Sequence, residues 1–465
     1  MIKQFLAILA AASVLFAQNF REQSPVPPGN FPIEKVPQFV FIGADDCADA
    51  EGVLWLVDFL ANLKNPDGSP VLATFFVNAR YAQNPHSGPD TTIKRTWQAW
   101  RKAFDAGHEI GNHTFSHWFS DNFAVQEDAR LLGFDRWNAE IAKNDLALTA
   151  NLGIQRNQIH GFRAPFLQYN RAAYEAMIRR GFLYSSSIEE GFNATQDPAN
   201  RIWPYQITDG SISNTERAEA SSGDSDWGYK YIGKFPNSRM WEIPVYAYIV
   251  PHDSLADKYG FRRGLRQRVK RNVPWFDETT GLITGFDFNL FAPRRWGGAE
   301  MRANEVLATL KHTFNTHYSG NRAPFTLGIH PDFYLQSRDR DYRSAGNFRQ
   351  RRKIIEDFIL YVLQNPDVRI ITGNSLIAWM RNPVPLGDAP VLDQRGMPTR
   401  PASDRRAVRR TPPATVQQAE QVEQVVEQTE PAAEKTEQAK PAAEPTAEAA
   451  ETAEQSKPES SEKEE

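Results

Sequence analysis

The chain has 465 residues and a formal net charge of −4; 41% of its residues are hydrophobic and 24% are charged. This composition is ordinary for a globular protein with a large core, and nothing in it indicates nucleic-acid binding. The single cysteine, Cys47, excludes an intramolecular disulfide, so the fold must depend on its core or on a bound metal.

The first 17 residues have the pattern of a secretory signal peptide. Lys3 gives a short basic region, residues 5–16 are apolar, and Ala17 is a small residue suited to cleavage. The apolar run is too short to span a bilayer securely, and no second span follows it. We therefore expect a secreted, periplasmic or cell-surface protein without a membrane span in the mature chain. An uncleaved N-terminal anchor is the alternative.

Residues 36–385 alternate short apolar runs with helical patterns, which predicts parallel strands joined by crossover helices. The predicted strands are residues 39–43, 71–77, 108–111, 158–162, 182–186, 241–249, 325–330 and 368–372. The predicted helices are residues 51–63, 94–105, 127–152, 171–180, 299–316, 347–364 and 375–380. Residues 191–233 lack periodicity and are predicted to form a surface insertion. The pattern favours one α/β barrel-like domain with its chemistry at the carboxyl ends of the strands.

The C-terminal region has a different composition. Residues 386–410 read as a basic linker, with Arg405, Arg406, Arg409 and Arg410 close together. Residues 411–465 contain 14 Glu, no Asp, 4 Lys and no aromatic residue. Because such a segment cannot bury enough apolar surface to fold alone, we predict a disordered acidic tail.

An acid pair, Asp45 and Asp46, ends the first apolar strand. Two carboxylates at the mouth of a buried strand repel each other and resist desolvation, so a cation, a shared proton or wide exposure is expected. His113 and His117 supply further ligands, since their i, i+4 spacing puts both rings on one side of a helical turn. Asp46 with the two histidines predicts a zinc site with an open position for an activated water. Chance spacing of two surface histidines is the alternative.

The neighbouring residues suggest acid–base chemistry. Asp45 is left to act as a general base, and Arg163 is its expected partner, although a structural salt bridge would give the same sequence. His330 follows an apolar strand and has an ordinary pKa near working pH, which suits a general acid; a buried core histidine is the alternative. Cys47 is interpreted as a small packed hydrophobe rather than a ligand.

Four motifs recur in the order and spacing of a known family. They are GADD at 43–46, HEIGNHTFSH at 108–117, RAPFLQYN at 163–170 and RAPFTLGIHPDFY at 322–334. Together they resemble the successive motifs of the polysaccharide deacetylase family, carbohydrate esterase family four, and most of all its arthropod-type chitin deacetylases. The resemblance extends through residues 64–77, 203–205 and 368–383, and so covers nearly all of residues 36–383.

The resemblance implies a distorted (β/α) barrel of about seven strands and a zinc-dependent hydrolase of N-acetyl groups on polymeric amino sugars. It implies metal ligands at Asp46, His113 and His117, although another divalent transition metal could take the place of zinc. It also assigns Asp45 as the base, Arg163 as the residue that orients it and His330 as the acid. The backbone N–H of Phe166 is the implied oxyanion donor, and Leu327 the implied wall of the acetyl pocket.

Three departures from the family pattern stand out. Gly43-Ala44 replaces the usual Thr-Phe before the acid pair, and Tyr184-Ser185 stands where an Asp often follows an aromatic residue. That Asp helps to set the acidity of the catalytic histidine, and Glu189 or Glu190 is the candidate replacement. The cysteines that pin loops in arthropod relatives are absent.

The favoured function is a secreted deacetylase acting on chitin-like or other N-acetylated polysaccharides. De-O-acetylation of a xylan-type polysaccharide is the first alternative, and a catalytically impaired glycan-binding protein on the same fold is the second. Four aromatic residues in and beside the insertion are candidates for stacking on sugar rings or for ordinary packing: Trp203, Tyr205, Trp227 and Tyr229.

Overall fold

The structure is a computed structural model that describes residues 23–82, 90–118, 126–193, 196–221 and 226–387. The predicted signal peptide, nearly all of the basic linker and the acidic tail lie outside the described residues. In the described part of the chain, no helix is both long and apolar enough to cross a membrane.

The fold is built on one curled, mainly parallel sheet of nine strands. In spatial order, eight of them are β12-β1-β2-β3-β4-β5-β8-β7, and β13 also pairs with β1. Pairing in this sheet is parallel except between β7 and β8. The thirteen described strands, which include two short pairs beside the sheet, are β1 Gln38–Asp46, β2 Thr74–Val77, β3 Glu109–Asn112, β4 Gly161–Phe162, β5 Tyr184–Ser185, β6 Glu189–Glu190, β7 Tyr205–Gln206, β8 Trp241–Glu242, β9 Val245–Tyr246, β10 Tyr248–Ile249, β11 Leu282–Ile283, β12 Phe325–Ile329 and β13 Val368–Ile371.

Helices connect and cover the strands, as expected for crossover connections between parallel strands. The described α-helices are α1 Ala50–Ala61, α2 Asp90–Asp105, α3 Phe134–Leu152, α4 Arg171–Arg179, α5 Ile212–Ala220, α6 Asp226–Tyr229, α7 Ala256–Tyr259, α8 Leu265–Asn272, α9 Asp287–Phe291, α10 Ala303–Ser319, α11 Phe348–Val362 and α12 Gly373–Arg381. The alternation of strand and helix confirms the predicted α/β barrel class.

Strand β1 is buried on both faces, which explains its almost continuous apolar sequence. Phe39 and Phe41 belong to one apolar cluster, with aromatic residues of the neighbouring strands. Val40 and Ile42 belong to a second, larger cluster with the helices. Alternate side chains therefore fill the inside of the barrel and the layer between sheet and helices.

The sheet curls until its far side approaches β12 again. The β5–β8 pair is continued by the β6–β9 pair, and the Tyr246 amide of β9 donates to the Thr326 hydroxyl of β12 at 3.1 Å. The predicted strand over residues 241–249 is thus divided into β8, β9 and β10. Its proline, Pro244, lies at one of the breaks and cannot donate a ladder hydrogen bond.

The segment 191–233 is less superficial than its composition predicted. It contributes β7 and α5, and the side chains of Trp203, Tyr205 and Ile207 are buried in the two main clusters. Trp203 and Tyr205 therefore pack in the core and are not available to stack on sugars. Tyr229 lies under the guanidinium of Arg130, 5.7 Å from its ring centre, and the side chain of Trp227 lies outside the described residues.

Gly161 leaves space for a tyrosine inside the barrel. A Cβ at this glycine would overlap the hydroxyl of Tyr184, which is fully buried. We expect Gly161→Ser to destabilise the fold by about 1–3 kcal/mol in urea unfolding, because the buried ring would have to move. Gly133→Ser is the matched control: a Cβ there meets open space, and serine is a good residue at this helix N-cap. Equal stability of both variants would contradict the packing described.

Candidate metal centre and active site

A cleft of about 330 Å³ lies at the carboxyl ends of the strands. Six of the predicted site residues line it: Asp45, Asp46, His113, His117, Phe166 and His330. Arg163 lies beneath the cleft and is fully buried. Residues that are up to 285 positions apart in sequence therefore meet where parallel strands end, the usual place for chemistry in such folds.

Asp46, His113 and His117 form a three-residue cluster whose candidate ligand atoms lie within 4.8 Å of one another. The Asp46 Oδ1 atom is 3.1 Å from His117 Nε2 and 3.6 Å from His113 Nε2. The predicted helical turn for the histidine pair is wrong, because residues 113–117 form an irregular bend. Left-handed φ angles at Thr114 (64°) and His117 (53°) bring the two rings together instead.

The donor set fits a divalent transition metal. The Nδ1 atom of His113 is 2.8 Å from the carbonyl oxygen of Arg163, and because a carbonyl only accepts, the proton must lie on Nδ1. Burial, together with the charge of His117, lowers the pKa of His113 to about 3, so the ring is neutral and its Nε2 lone pair faces the Asp46 carboxylate. Two facing acceptors are repulsive without a cation, and two imidazoles with one carboxylate are typical zinc ligands.

The Asp46 carboxylate is itself held ionised. Burial opposes its charge, but the charge and hydrogen bond of His117, followed by the charge of His330, hold the pKa of Asp46 well below its usual range. A carboxylate that stays ionised is the form that binds a cation.

Asp45 lies beside the cluster and is paired with Arg163. The Arg163 Nη1 atom is 3.2 Å from Asp45 Oδ1, and the guanidinium also donates to the carbonyl and hydroxyl oxygens of Ser186 at 2.7 and 2.8 Å. Burial raises the pKa of Asp45 to about 6, against the opposing charges of Arg163 and His330. The pKa of Asp45 is therefore close to neutral pH, and its carboxylate is held in place by an arginine that has its own fixed partners.

His330 is held by a carboxylate that sequence reasoning missed. Asp287 Oδ1 lies 2.7 Å from His330 Nδ1, and Asp287 Oδ2 accepts from the His330 amide at 2.8 Å and the Tyr334 hydroxyl at 3.0 Å. Burial opposes charging of the imidazole, but the charge and hydrogen bond of Asp287 raise the pKa of His330 to about 9. The ring is thus a cation with Nδ1 committed to Asp287.

Glu189 and Glu190 were the candidates to replace the Asp that the family pattern places at Tyr184-Ser185. Neither reaches His330. Glu189 lines the cleft but pairs with Lys230 at 3.1 Å and accepts from the Tyr169 hydroxyl at 3.4 Å. Glu190 is buried among Gln196, Tyr205 and Ser211. That prediction is wrong, because both strand residues turn to partners in the 191–233 segment.

Comparisons with known proteins agree with this geometry. Residues 57–185 match the family described as polysaccharide deacetylase. The chain is 24% identical over 372 residues to Chitin deacetylase 1 of Bombyx mori, covering 78% of this chain and 54% of that protein. It is 22% identical over 363 residues to Chitin deacetylase 8 of the same organism, covering 77% of this chain and 74% of that protein. The chain thus spans about half the length of the first relative.

The match assigns residues 57–185 of the chain to the polysaccharide deacetylase family. A solved structure described as a putative polysaccharide deacetylase from Mycobacterium smegmatis is 18% identical, with a TM-score of 0.43, and the match covers 77% of this chain and 93% of that one.

The expected position of Leu327 in the cleft wall is wrong. Leu327 pairs with Ile42 in the β12–β1 register, and both side chains belong to the cluster that faces the helices. The residue on the cleft side is Gly328, and a Cβ there would lie 2.6 Å from the ring of Phe286. Phe286 lines the cleft, so its ring supplies the apolar wall that was assigned to Leu327.

The departure at Gly43 has a similar explanation. A Cβ at Gly43 would lie 2.8 Å from Arg163 Nη2. The absence of a side chain at Gly43 lets the guanidinium lie against the strand and reach Asp45.

Cys47 is buried, with its sulfur 3.5 Å from the Ala44 carbonyl oxygen, and burial raises the pKa of its thiol well above the usual value. The thiol packs as the sequence predicted.

Strained backbone surrounds the cleft. Of the ten described non-glycine residues with positive φ, seven lie in the three turns that border it: Asp46, Cys47, Thr114, His117, Trp118, Phe166 and Leu167. Left-handed conformations at such residues cost roughly 1–3 kcal/mol each and persist only where surrounding contacts hold them. Their concentration here indicates that the turns are shaped for function rather than for stability.

Buried hydrogen bonds hold two of these turns. Asp332 accepts from the amides of Ala48 and Asp49 at 2.9 and 2.7 Å, directly after Asp46 and Cys47. The side-chain amide of Asn78 donates to the carbonyls of His113 and Thr114. These contacts fix the metal-ligand candidates from behind, as outer partners of a metal site usually do.

We expect the chain, once stripped of metal by a chelator, to bind about one equivalent of Zn²⁺ in calorimetric titration. His113→Ala removes one donor and should weaken binding by more than the roughly 10- to 100-fold typical of losing an outer partner. His252→Ala is the control, since this exposed histidine makes local hydrogen bonds to the amide and hydroxyl of Ser254. Unchanged affinity in His113→Ala would contradict the assignment of the cluster.

Proposed function

We propose that this chain is a metal-dependent hydrolase that removes N-acetyl groups from amino-sugar polysaccharides of the chitin type outside the cell. The observation that carries the proposal is the convergence in one cleft of a candidate metal cluster, an arginine-held carboxylate and a carboxylate-held histidine. The signal-peptide pattern of residues 1–17 supports export.

Asp46, His113 and His117 would hold the metal, with zinc the favoured occupant and another divalent transition metal the alternative. When bound, the ion supplies Lewis acidity toward an acetyl carbonyl and toward water in the same cleft. The fixed tautomer of His113 and the ionised state of Asp46 keep the protein ready to bind it.

Asp45 is the proposed general base. It lines the cleft next to the cluster, and its pKa of about 6 leaves it able to take a proton from an attacking water near neutral pH. Arg163 fixes the carboxylate, and Ser186 fixes Arg163 through two hydrogen bonds. The base therefore has little freedom to turn away from the reacting water.

His330 is the proposed general acid. Because its Nδ1–H is held by Asp287, the proton on Nε2 is the one that it can give to the departing amine. The raised pKa keeps that proton in place at neutral pH. Asp287 acts through the histidine and is a positioning residue.

The rim of the cleft would contact the acetyl group. Phe166 stands in a left-handed conformation (φ 55°), and its ring packs on His117 with 4.4 Å between centroids. Its backbone N–H is the proposed oxyanion donor. Phe286, beside Gly328, is the proposed wall for the methyl group in place of Leu327.

The names of the two Bombyx mori relatives support an amino-sugar polymer as substrate. The test is acetate release from chitooligosaccharides and from acetylated xylan by the zinc-loaded protein. We expect release from the chitooligosaccharides, whereas release from xylan alone would favour the O-acetyl esterase. Binding to either glycan without any acetate release would favour the impaired glycan-binding protein.

Asp45→Ala should lower kcat by roughly 10²- to 10⁴-fold, the usual contribution of a general base. Zinc content should stay near that of the parent, because Asp45 is not in the ligand cluster. Acetate is measured enzymatically, and metal by atomic emission. A variant that retained full activity with normal metal content would exclude Asp45 as the base.

Asp287→Asn tests the acid. A histidine that must be protonated loses activity as pH rises through its pKa, so the alkaline limb of kcat should lie near pH 9 in the parent. Loss of the carboxylate charge lowers this pKa, and the limb should move down by roughly one to three pH units. Glu189→Gln, in the same cleft but not bonded to His330, should leave the limb in place. An unmoved limb in Asp287→Asn would overturn the assignment.

A further inference from the structure

Two aromatic rings lie beyond the cleft and take no part in the chemistry described above. Trp275 is 55% exposed, and its ring centroid is 6.4 Å from that of Phe192 at an interplanar angle of 68°. The two side chains form an aromatic pair with an indole open to solvent.

The turn that carries Trp275 is fixed. Its neighbours Val273 and Phe276 are buried in the core, and the Lys270 ammonium donates to the carbonyls of Pro274 and Phe276 at 2.8 Å each. The indole is therefore held outward by a turn anchored on both sides. The exposure of the indole is therefore a fixed feature of this turn.

Phe192 forms the inner part of the pair. It packs against a small buried cluster of Ala247, Ile249 and Leu282, and the guanidinium of Arg217 lies 4.8 Å from its ring centre. Contacts on these sides limit its rotation, so the pair presents a rigid aromatic surface.

Two short chain connections place this surface near the wall of the cleft. Glu189 lines the cleft three residues before Phe192, and Thr284 lines it two residues after Leu282, on which Phe192 packs. Three residues span at most roughly 10 Å. The aromatic pair is therefore within reach of a sugar chain whose reacting unit occupies the cleft.

We propose that Phe192 and Trp275 form a binding platform for the polysaccharide chain beyond the unit that is deacetylated. Pyranose rings have an apolar C–H face, and exposed aromatic rings on a rigid support offer such a face a matching surface. The occupant is the polysaccharide because the platform extends the substrate cleft. This inference rests on the proposed function, and it adds that the protein acts on long chains better than on short ones.

The experiment measures kcat and KM for the N-acetylglucosamine dimer and hexamer with the zinc-loaded protein. Trp275→Ala should raise KM for the hexamer by roughly threefold to tenfold, as expected for loss of one aromatic contact, with kcat unchanged. The dimer is too short to reach the platform and should react as with the parent. Trp275→Phe keeps an aromatic ring and should restore most of the hexamer KM.

Leu360→Ala, at an exposed position on α11, is the surface control and should change neither substrate. An equal loss for dimer and hexamer, or no loss for the hexamer, would overturn the platform. Binding of the hexamer to a sensor surface is measured in parallel. If the parent protein released no acetate, the proposed function would fail, and the platform would then be judged by this binding. Equal hexamer binding by the parent and Trp275→Ala would overturn the platform. The platform would also be overturned if Trp275→Ala weakened binding to a partner protein but not to the hexamer.

Discussion

The site depends on one unfavourable arrangement, a buried imidazole whose lone pair faces a partly buried carboxylate. The carbonyl oxygen of Arg163 accepts a hydrogen bond from the Nδ1–H of His113. The Nε2 atom is therefore unprotonated, and its lone pair faces Asp46. Two acceptors that face each other repel, and a cation between them turns the same geometry into attraction. Because Arg163 also holds Asp45 through its side chain, one residue fixes both the tautomer of a metal-ligand candidate and the direction of the candidate base. A single buried arginine therefore links a candidate metal ligand to the candidate base.

The backbone around this arrangement is strained, and parallel strands provide the rigidity that the strain requires. Asp46, the last paired residue of β1, and His117, five residues after β3, both take left-handed conformations. Carboxylate and amide side chains then fix the turns from behind, as Asp332 does for the turn after Asp46. The free energy gained by the packed strands offsets the cost of turns that would not form in isolation. The division between a stable barrel and strained turns at its mouth is a general property of enzymes built on such folds.

The sequence predicted those parts of the fold and site that depend on local pattern. The strand that ends in Asp45 and Asp46 could be recognised from its apolar run, and the alternation of strands and helices gave the fold class. Asp287 could not be found in this way, because it acts on a residue 43 positions later from a short helix in a segment without clear periodicity. Leu327 could have been placed correctly by strand parity: side chains alternate, so a residue three positions before His330 faces away from it. The burial of Trp203 and Tyr205 confirms packing, one of the two alternatives that the sequence left open, and the polar composition of residues 191–233 conceals the short strand β7 that pairs with the main sheet.

The departures from the family pattern also share a physical logic. Gly43 has no side chain where the Arg163 guanidinium lies. The carboxylate expected at Ser185 is absent, but Asp287 reaches the histidine from another segment, one residue after Phe286. Random loss of function would leave cavities and unpaired polar groups at such positions, since nothing would select for their replacement. Arg163 instead occupies the space at Gly43 and Asp287 supplies the carboxylate that is absent at Ser185, which favours a working site over a degenerate one. The short segment that carries Phe286 and Asp287 thus joins the apolar wall of the cleft to the histidine that completes it.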